Sequence, residues 1–163
     1  MKPDLLYGPP PATLRLMLGD PDEHDFACAE RLLGGLTPQQ ATAVPPGLPY
    51  SIAGLLGHMH ANVRFNLELI QSEDPMKFAA PTDLWPPVSA GEWAPLVRAF
   101  LGDMARLDKI AQDERELERT LYPPMASEPG WTVGYKLALS VAGHNAYHFG
   151  QIALVRRLVE GVT

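Results

Sequence analysis

Apolar side chains recur along this chain at helical spacing, in blocks parted by proline and glycine, and no segment alternates apolar and polar residues as a half-buried strand does. Pro9, Pro10 and Pro11 follow a short lead-in, and Pro21 interrupts any helix begun over 12–18, because its ring clashes with the preceding turn. Residues 1–21 therefore read as an N-terminal extension. The pattern predicts a first long helix over 22–33, ended by Gly34 and Gly35. Thr37-Pro38-x-Gln40 then reads as a short helical turn with a cap, a proline at its first position and a capping-box glutamine. Ser51 caps a second helix reaching 71, a proline-free stretch rich in Leu, Ile, Val and Met. Residues 73–87 carry four prolines and read as a long loop, placed to cover a site.

Ser89-Ala90-Gly91-Glu92 is a capping box that opens a third helix with the inward stripe Trp93, Leu96, Phe100, Leu107 and Ile110. Thr132 caps a final helix reaching 160. Four long helices in 163 residues predict a single all-α domain over 1–163, a four-helix bundle.

The last helix departs from a plain apolar face. Val133, Leu137, Val141, His144, His148, Gln151, Val155 and Leu158 follow one another three or four residues apart, so three polar side chains interrupt one inward stripe. Leaving such groups without partners costs ~1 to 3 kcal/mol each. A metal ion would satisfy them, since imidazoles at i and i+4 leave one helical face together and can converge on one ion. Two histidines make half a site. The second helix offers His58, in the stripe Leu55, His58, Asn62, Phe65, Leu69, and His60, in the nearly opposite stripe Leu56, His60, Val63, Leu67, Ile70. Periodicity alone does not choose between them. Gln151 and Asn62 read as residues that orient a histidine rather than as direct ligands.

Composition narrows the functional classes. A net charge of -6, with no basic cluster longer than Arg156-Arg157, argues against a phosphate-tracking surface and hence against nucleic acid as a partner. No apolar run approaches the ~18 residues of a membrane span, and the first residues lack the apolar stretch of a signal peptide, so a cytoplasmic location without membrane contact is expected. Cys28 stands alone and forms no internal disulfide. His24 and Cys28 share the i,i+4 spacing, yet His24 lies among Asp22, Glu23 and Asp25, which reads as a solvated first turn. Glu114, Arg115, Glu116, Glu118 and Arg119 read as a solvated, weakly interacting helical end, and Trp85, Trp93 and Trp131 as anchors of the bundle and its loops.

The phrases Ser51-Ile52-x-x-Leu55-Leu56-x-His58 and His144-x-x-x-His148-x-x-Gln151-Ile152 together resemble the DinB-like (YfiT-like) family, over most of the chain. The resemblance implies a four-helix bundle in which one histidine of the second helix and two of the fourth hold a nickel or zinc ion. It thereby favours His58, with His144 and His148, over His60. Related bundles include S-transferases that use the thiol bacillithiol and mycothiol-dependent isomerases, and members are often homodimers.

Three neutral histidines would leave the ion its full charge and a position for water, so hydrolysis and transfer of a low-molecular-weight thiol to a small-molecule substrate are both chemically open. A zincin is disfavoured, because His144-Asn145-Ala146-Tyr147-His148 lacks the glutamate that acts as base. No Ser-His-Asp or Cys-His nucleophile emerges, and metal-bound water or thiol would have to do the chemistry. The alternatives to an enzyme are a non-catalytic module in which the ion staples two helices, and a helical scaffold for dimerisation.

Overall fold

The computed structural model describes residues 4–19 and 28–161. In chain order these form β1 (Leu5–Leu6), α1 (Pro11–Leu18), α2 (Ala29–Leu33), α3 (Pro38–Thr42), α4 (Ile52–Gln71), α5 (Trp93–Ala111), α6 (Glu114–Glu118), β2 (Thr120–Tyr122), β3 (Gly130–Thr132), α7 (Val133–Leu137) and α8 (His144–Glu160). Short 3-10 turns lie at Pro75–Lys77 and Ala90–Glu92, and a π-helical segment, Ala138–Gly143, joins α7 to α8.

Local sequence explains where the helices begin. The Ser51 hydroxyl accepts the Gly54 N–H at 3.0 Å to start α4, the Ser89 and Glu92 capping box precedes α5, and Thr132 accepts the Tyr135 N–H at 3.2 Å to start α7. Thr37 and Gln40 form the reciprocal capping box of α3. The fold is predominantly helical. α4 packs against both α5 and α8, and α2 packs against the same two helices. Leu55, Leu56, Met59 and Leu67 of α4, Phe100 and Leu107 of α5, Leu137 of α7 and Ile152 of α8 share the core they enclose. Of the first predicted long helix, residues 29–33 are helical; its earlier part, with His24, lies outside the described residues.

Three features depart from the sequence pattern. A small sheet of order β1-β3-β2 closes one end, with β1 parallel and β2 antiparallel to β3. Strands of two or three residues are too short to show alternation. They rest on specific bonds instead, the Gly130 N–H to the Asp4 carbonyl at 3.0 Å and the Thr132 hydroxyl to the Leu6 carbonyl at 3.0 Å. Residues 5–18 consequently pack within the body, where α1 lies on α5 and on the π-helical segment and buries Leu14 and Leu18.

Second, the wide π turn takes up extra residues and shifts the phase of α8. The buried positions of α8 are Asn145, His148, Phe149, Ile152 and Val155, and Leu158, at the end of the predicted stripe, is 59% exposed. Third, Arg119 is tied into the fold although 38% of its side chain is exposed. It binds Glu116 at 2.6 Å and donates to the Ile70 carbonyl at 2.8 Å, satisfying an end group of α4. The Glu116 carboxylate correspondingly raises the guanidinium pKa. Among the described residues no helix is long and apolar enough to cross a membrane.

The N-terminal strand is tied down by a backbone approach that only glycine permits: a Cβ on Gly8 would sit 2.3 Å from the Gly134 carbonyl carbon and 2.4 Å from its oxygen. Gly8→Ala must therefore push β1 and α1 off α7. It should cost about 2 kcal/mol or more, the scale of overpacking, read as a lower urea midpoint at unchanged slope. A midpoint equal to wild type would show that β1 and α1 add nothing to stability.

Candidate metal centre

Three histidines from two helices meet in the seam between α4 and α8. His58 stands in the second turn of α4, and His144 and His148 occupy the first two turns of α8, just past the π-helical segment. One potential ligand atom from each lies within 4.8 Å of the others, and among the described residues no Asp, Glu or Cys joins this group. Their ring centroids are 4.9 Å apart for His58 and His144, 4.8 Å for His58 and His148, and 4.5 Å for His144 and His148. His58 and His148 are buried and His144 is half-buried.

The outward nitrogens decide which atoms are left for a ligand. His58 donates its Nδ1–H to the Leu84 carbonyl at 2.7 Å, which leaves Nε2 as a lone pair facing the cluster. His148 does the same through Gln151, donating Nδ1–H to Oε1 at 2.6 Å. The Gln151 amide nitrogen is held in turn by the Tyr50 hydroxyl at 3.2 Å and the Tyr147 hydroxyl at 3.3 Å, so the orientation of the amide is fixed. These two rings are set in the tautomer a metal ligand needs.

His144 is set differently. Its Nδ1 lies 3.2 Å from the Asn62 amide nitrogen, which also donates to the Ser140 carbonyl at 2.7 Å. Asn66 holds the other end of that amide, donating to Asn62 Oδ1 at 3.1 Å. Asn62 therefore donates to His144 Nδ1, and His144 Nε2–H donates to His58 Nε2 at 3.0 Å. The Ser140 carbonyl belongs to the π-helical segment, where the helical hydrogen-bond pattern is altered, and π turns recur at functional sites.

Burial disfavours the charged form of two of the three rings. Burial, reinforced by the neighbouring His148, pushes the His144 pKa down from 6.5 to about 4. Burial also lowers His148, opposed by its bond to Gln151. A neutral imidazole is the form that ligates a cation. Tetrahedral coordination at Zn–N distances near 2.0 to 2.1 Å puts nitrogens about 3.3 Å apart; His58 Nε2 and His144 Nε2 lie 3.0 Å apart, and one ligand atom from each of the three rings lies within 4.8 Å of the others. A three-imidazole donor set with no carboxylate suits zinc or nickel far better than magnesium or calcium, which demand oxygen.

The other sequence candidates fall elsewhere. His60 points away from the cluster, pairing with Asp103 at 3.0 Å and lying edge-on to Phe100 of α5. Cys28 is buried and donates to Glu30 at 2.9 Å, and burial raises its pKa. Trp93 is core, Trp131 lies in β3, and Trp85 lies at the cluster, stacked on His58. The Leu84 and Ser140 carbonyls complete the surroundings of the histidines. Backbone groups carry no side-chain signal: the length and proline content of the 73–87 segment pointed toward Leu84, and nothing pointed toward Ser140.

The pKa directions fix a sign. A histidine whose folded pKa lies below its unfolded value is protonated more readily when unfolded, so stability is full above about 6.5 and falls as pH drops toward about 4. Metal-stripped protein should lose urea resistance across that window, and His144→Gln should flatten the dependence. An identical pH profile in the variant would show that His144 does not carry it.

In comparisons with known proteins, the family model of the DinB superfamily matches residues 27–152. No curated protein and no solved structure matches the chain.

Proposed function

The chain belongs to the DinB superfamily, and on that footing we propose that it is a divalent-metal-dependent enzyme, acting on a small molecule by transfer of a low-molecular-weight thiol or by hydrolysis. The observation that supports this reading most is the composition of the cluster, three imidazoles with no fourth His, Cys, Asp or Glu among the described residues. Structural zinc sites usually close with a fourth side chain, whereas catalytic ones keep three and leave a position open.

His58, His144 and His148 would hold the ion, with Leu84 and Gln151 fixing two of the rings. When bound, a divalent ion on neutral imidazoles supplies the charge that ionises water or a thiol near neutral pH. The chain contributes the rest. Depressed pKa values favour the neutral, ligating form of His144 and His148. Asn62 holds His144 with a proton on Nε2, so loading requires that proton to leave Nε2 and the Asn62 contact to change. His60, committed to Asp103, takes no part.

Elemental analysis of untagged protein tests this reading. Wild type and His60→Ala should each carry about one equivalent of zinc or nickel, and His58→Ala, His144→Ala and His148→Ala should carry almost none. Wild-type protein that is free of metal and refuses added zinc and nickel would sink the proposal.

A further inference from the structure

Residues 78–88 form a strap with no helix or strand, laid along the outer face of α4 and fastened at three places. At one end Phe78 packs on Phe65, ring centroids 5.7 Å apart. At the other, Pro86 and Val88 lie so close to α4 that a Cβ on Gly57 would sit 2.9 Å from Val88 Cγ2 and 3.5 Å from the Pro86 carbonyl. Between them the strap engages His58 most closely, and the Trp85 ring also lies edge-on to His148, centroids 6.2 Å apart. The Leu84 carbonyl accepts the His58 Nδ1–H at 2.7 Å. The indole of Trp85 lies flat against the face of His58, centroids 3.9 Å apart and planes 3° from parallel.

The remainder of the strap is weakly held. Ala79, Ala80, Pro81, Thr82, Asp83, Trp85 and Pro87 are exposed or half-buried, and Trp85 keeps 50% of its surface in water although it covers a buried histidine. A segment with so few buried contacts opens locally at little cost, and its docking depends on the few contacts it has.

We infer that strap docking and metal binding are thermodynamically coupled through His58, with Trp85 as the positioning residue. The inference rests on the metal reading above and adds a connection that the cluster alone does not imply. A cation on Nε2 withdraws electron density from the imidazole. That makes Nδ1–H a stronger donor to the Leu84 carbonyl and the ring face a better partner for the electron-rich indole. The strap, in return, fixes the tautomer and orientation that Nε2 needs in order to ligate. Coupling of this kind is reciprocal: whatever factor the metal contributes to docking, docking contributes to metal affinity.

Trypsin reads the docking equilibrium, because Lys77 is the only basic residue between Arg64 and Arg98, stands at the edge of the strap and has 85% of its side chain exposed. Zinc should slow cleavage after Lys77 in the wild type about tenfold, with fragments identified by mass. Trp85→Ala should still bind one equivalent but about tenfold more weakly, the loss typical of removing a partner that orients a ligand, and should lose most of the metal-dependent protection. Trp85→Phe, which keeps a ring over His58, should recover much of both. Gly57→Ala presses on the strap from α4 without touching the histidine ring, and should lose protection in the same way. Protection and affinity unchanged in Trp85→Ala, or a wild type that binds zinc without protection, would overturn the coupling and leave the metal site standing. A wild type that takes no zinc would instead remove the metal reading and, with it, this inference.

Discussion

The polar seam between α4 and α8 governs how the helices around it are placed. Helix faces in a core this size are apolar, yet here His58 meets His144, Asn62 meets the Ser140 carbonyl, and Asn66 braces Asn62. Desolvated polar groups need partners, and most of this network has them, although the buried Asn66 Oδ1 has none among the described residues. The π-helical segment before His144 contributes to that: it places the Ser140 carbonyl where Asn62 can reach it and sets the phase of α8, so that Asn145, Phe149 and Ile152 face the core while His144 stands at its edge. The seam is thus built to hold oriented imidazoles at the border of core and solvent, with burial favouring the neutral form of His144 and His148.

Long, strongly patterned elements were legible in the chain. The caps at Thr37, Ser51, Ser89 and Thr132 all lie where the sequence signals put them, and Trp93, Phe100 and Leu107 face inward as their spacing requires. The pairing of His144 with His148 came from helical geometry alone. The choice of His58 over His60 did not, because both lie on partly apolar stripes. The structure separates them by partner: His60 faces α5 and finds a carboxylate, while His58 faces α8 and finds two imidazoles.

What the sequence hid was what side-chain periodicity does not encode. A strand of two residues has no period to detect, and a π turn leaves no apolar signature distinct from an α turn. The anchoring of residues 5–18 by a glycine–glycine backbone contact, and the reach of Arg119 to the end of α4, depend on tertiary proximity alone. The strap falls in the same class. Its prolines announced a loop, but the carbonyl and the indole that engage His58 are visible only once the loop is laid against α4.

If His58, His144 and His148 bind one ion together through nitrogen and leave a position open, the ion's own coordination shell must show it. X-ray absorption at the metal K-edge of purified, loaded protein measures that shell. Three imidazole nitrogens at about 2.0 to 2.1 Å are expected, with the remaining positions filled by light oxygen ligands. For protein loaded in thiol-free buffer, a sulfur ligand, a carboxylate-dominated shell or a single imidazole would contradict the three-histidine site.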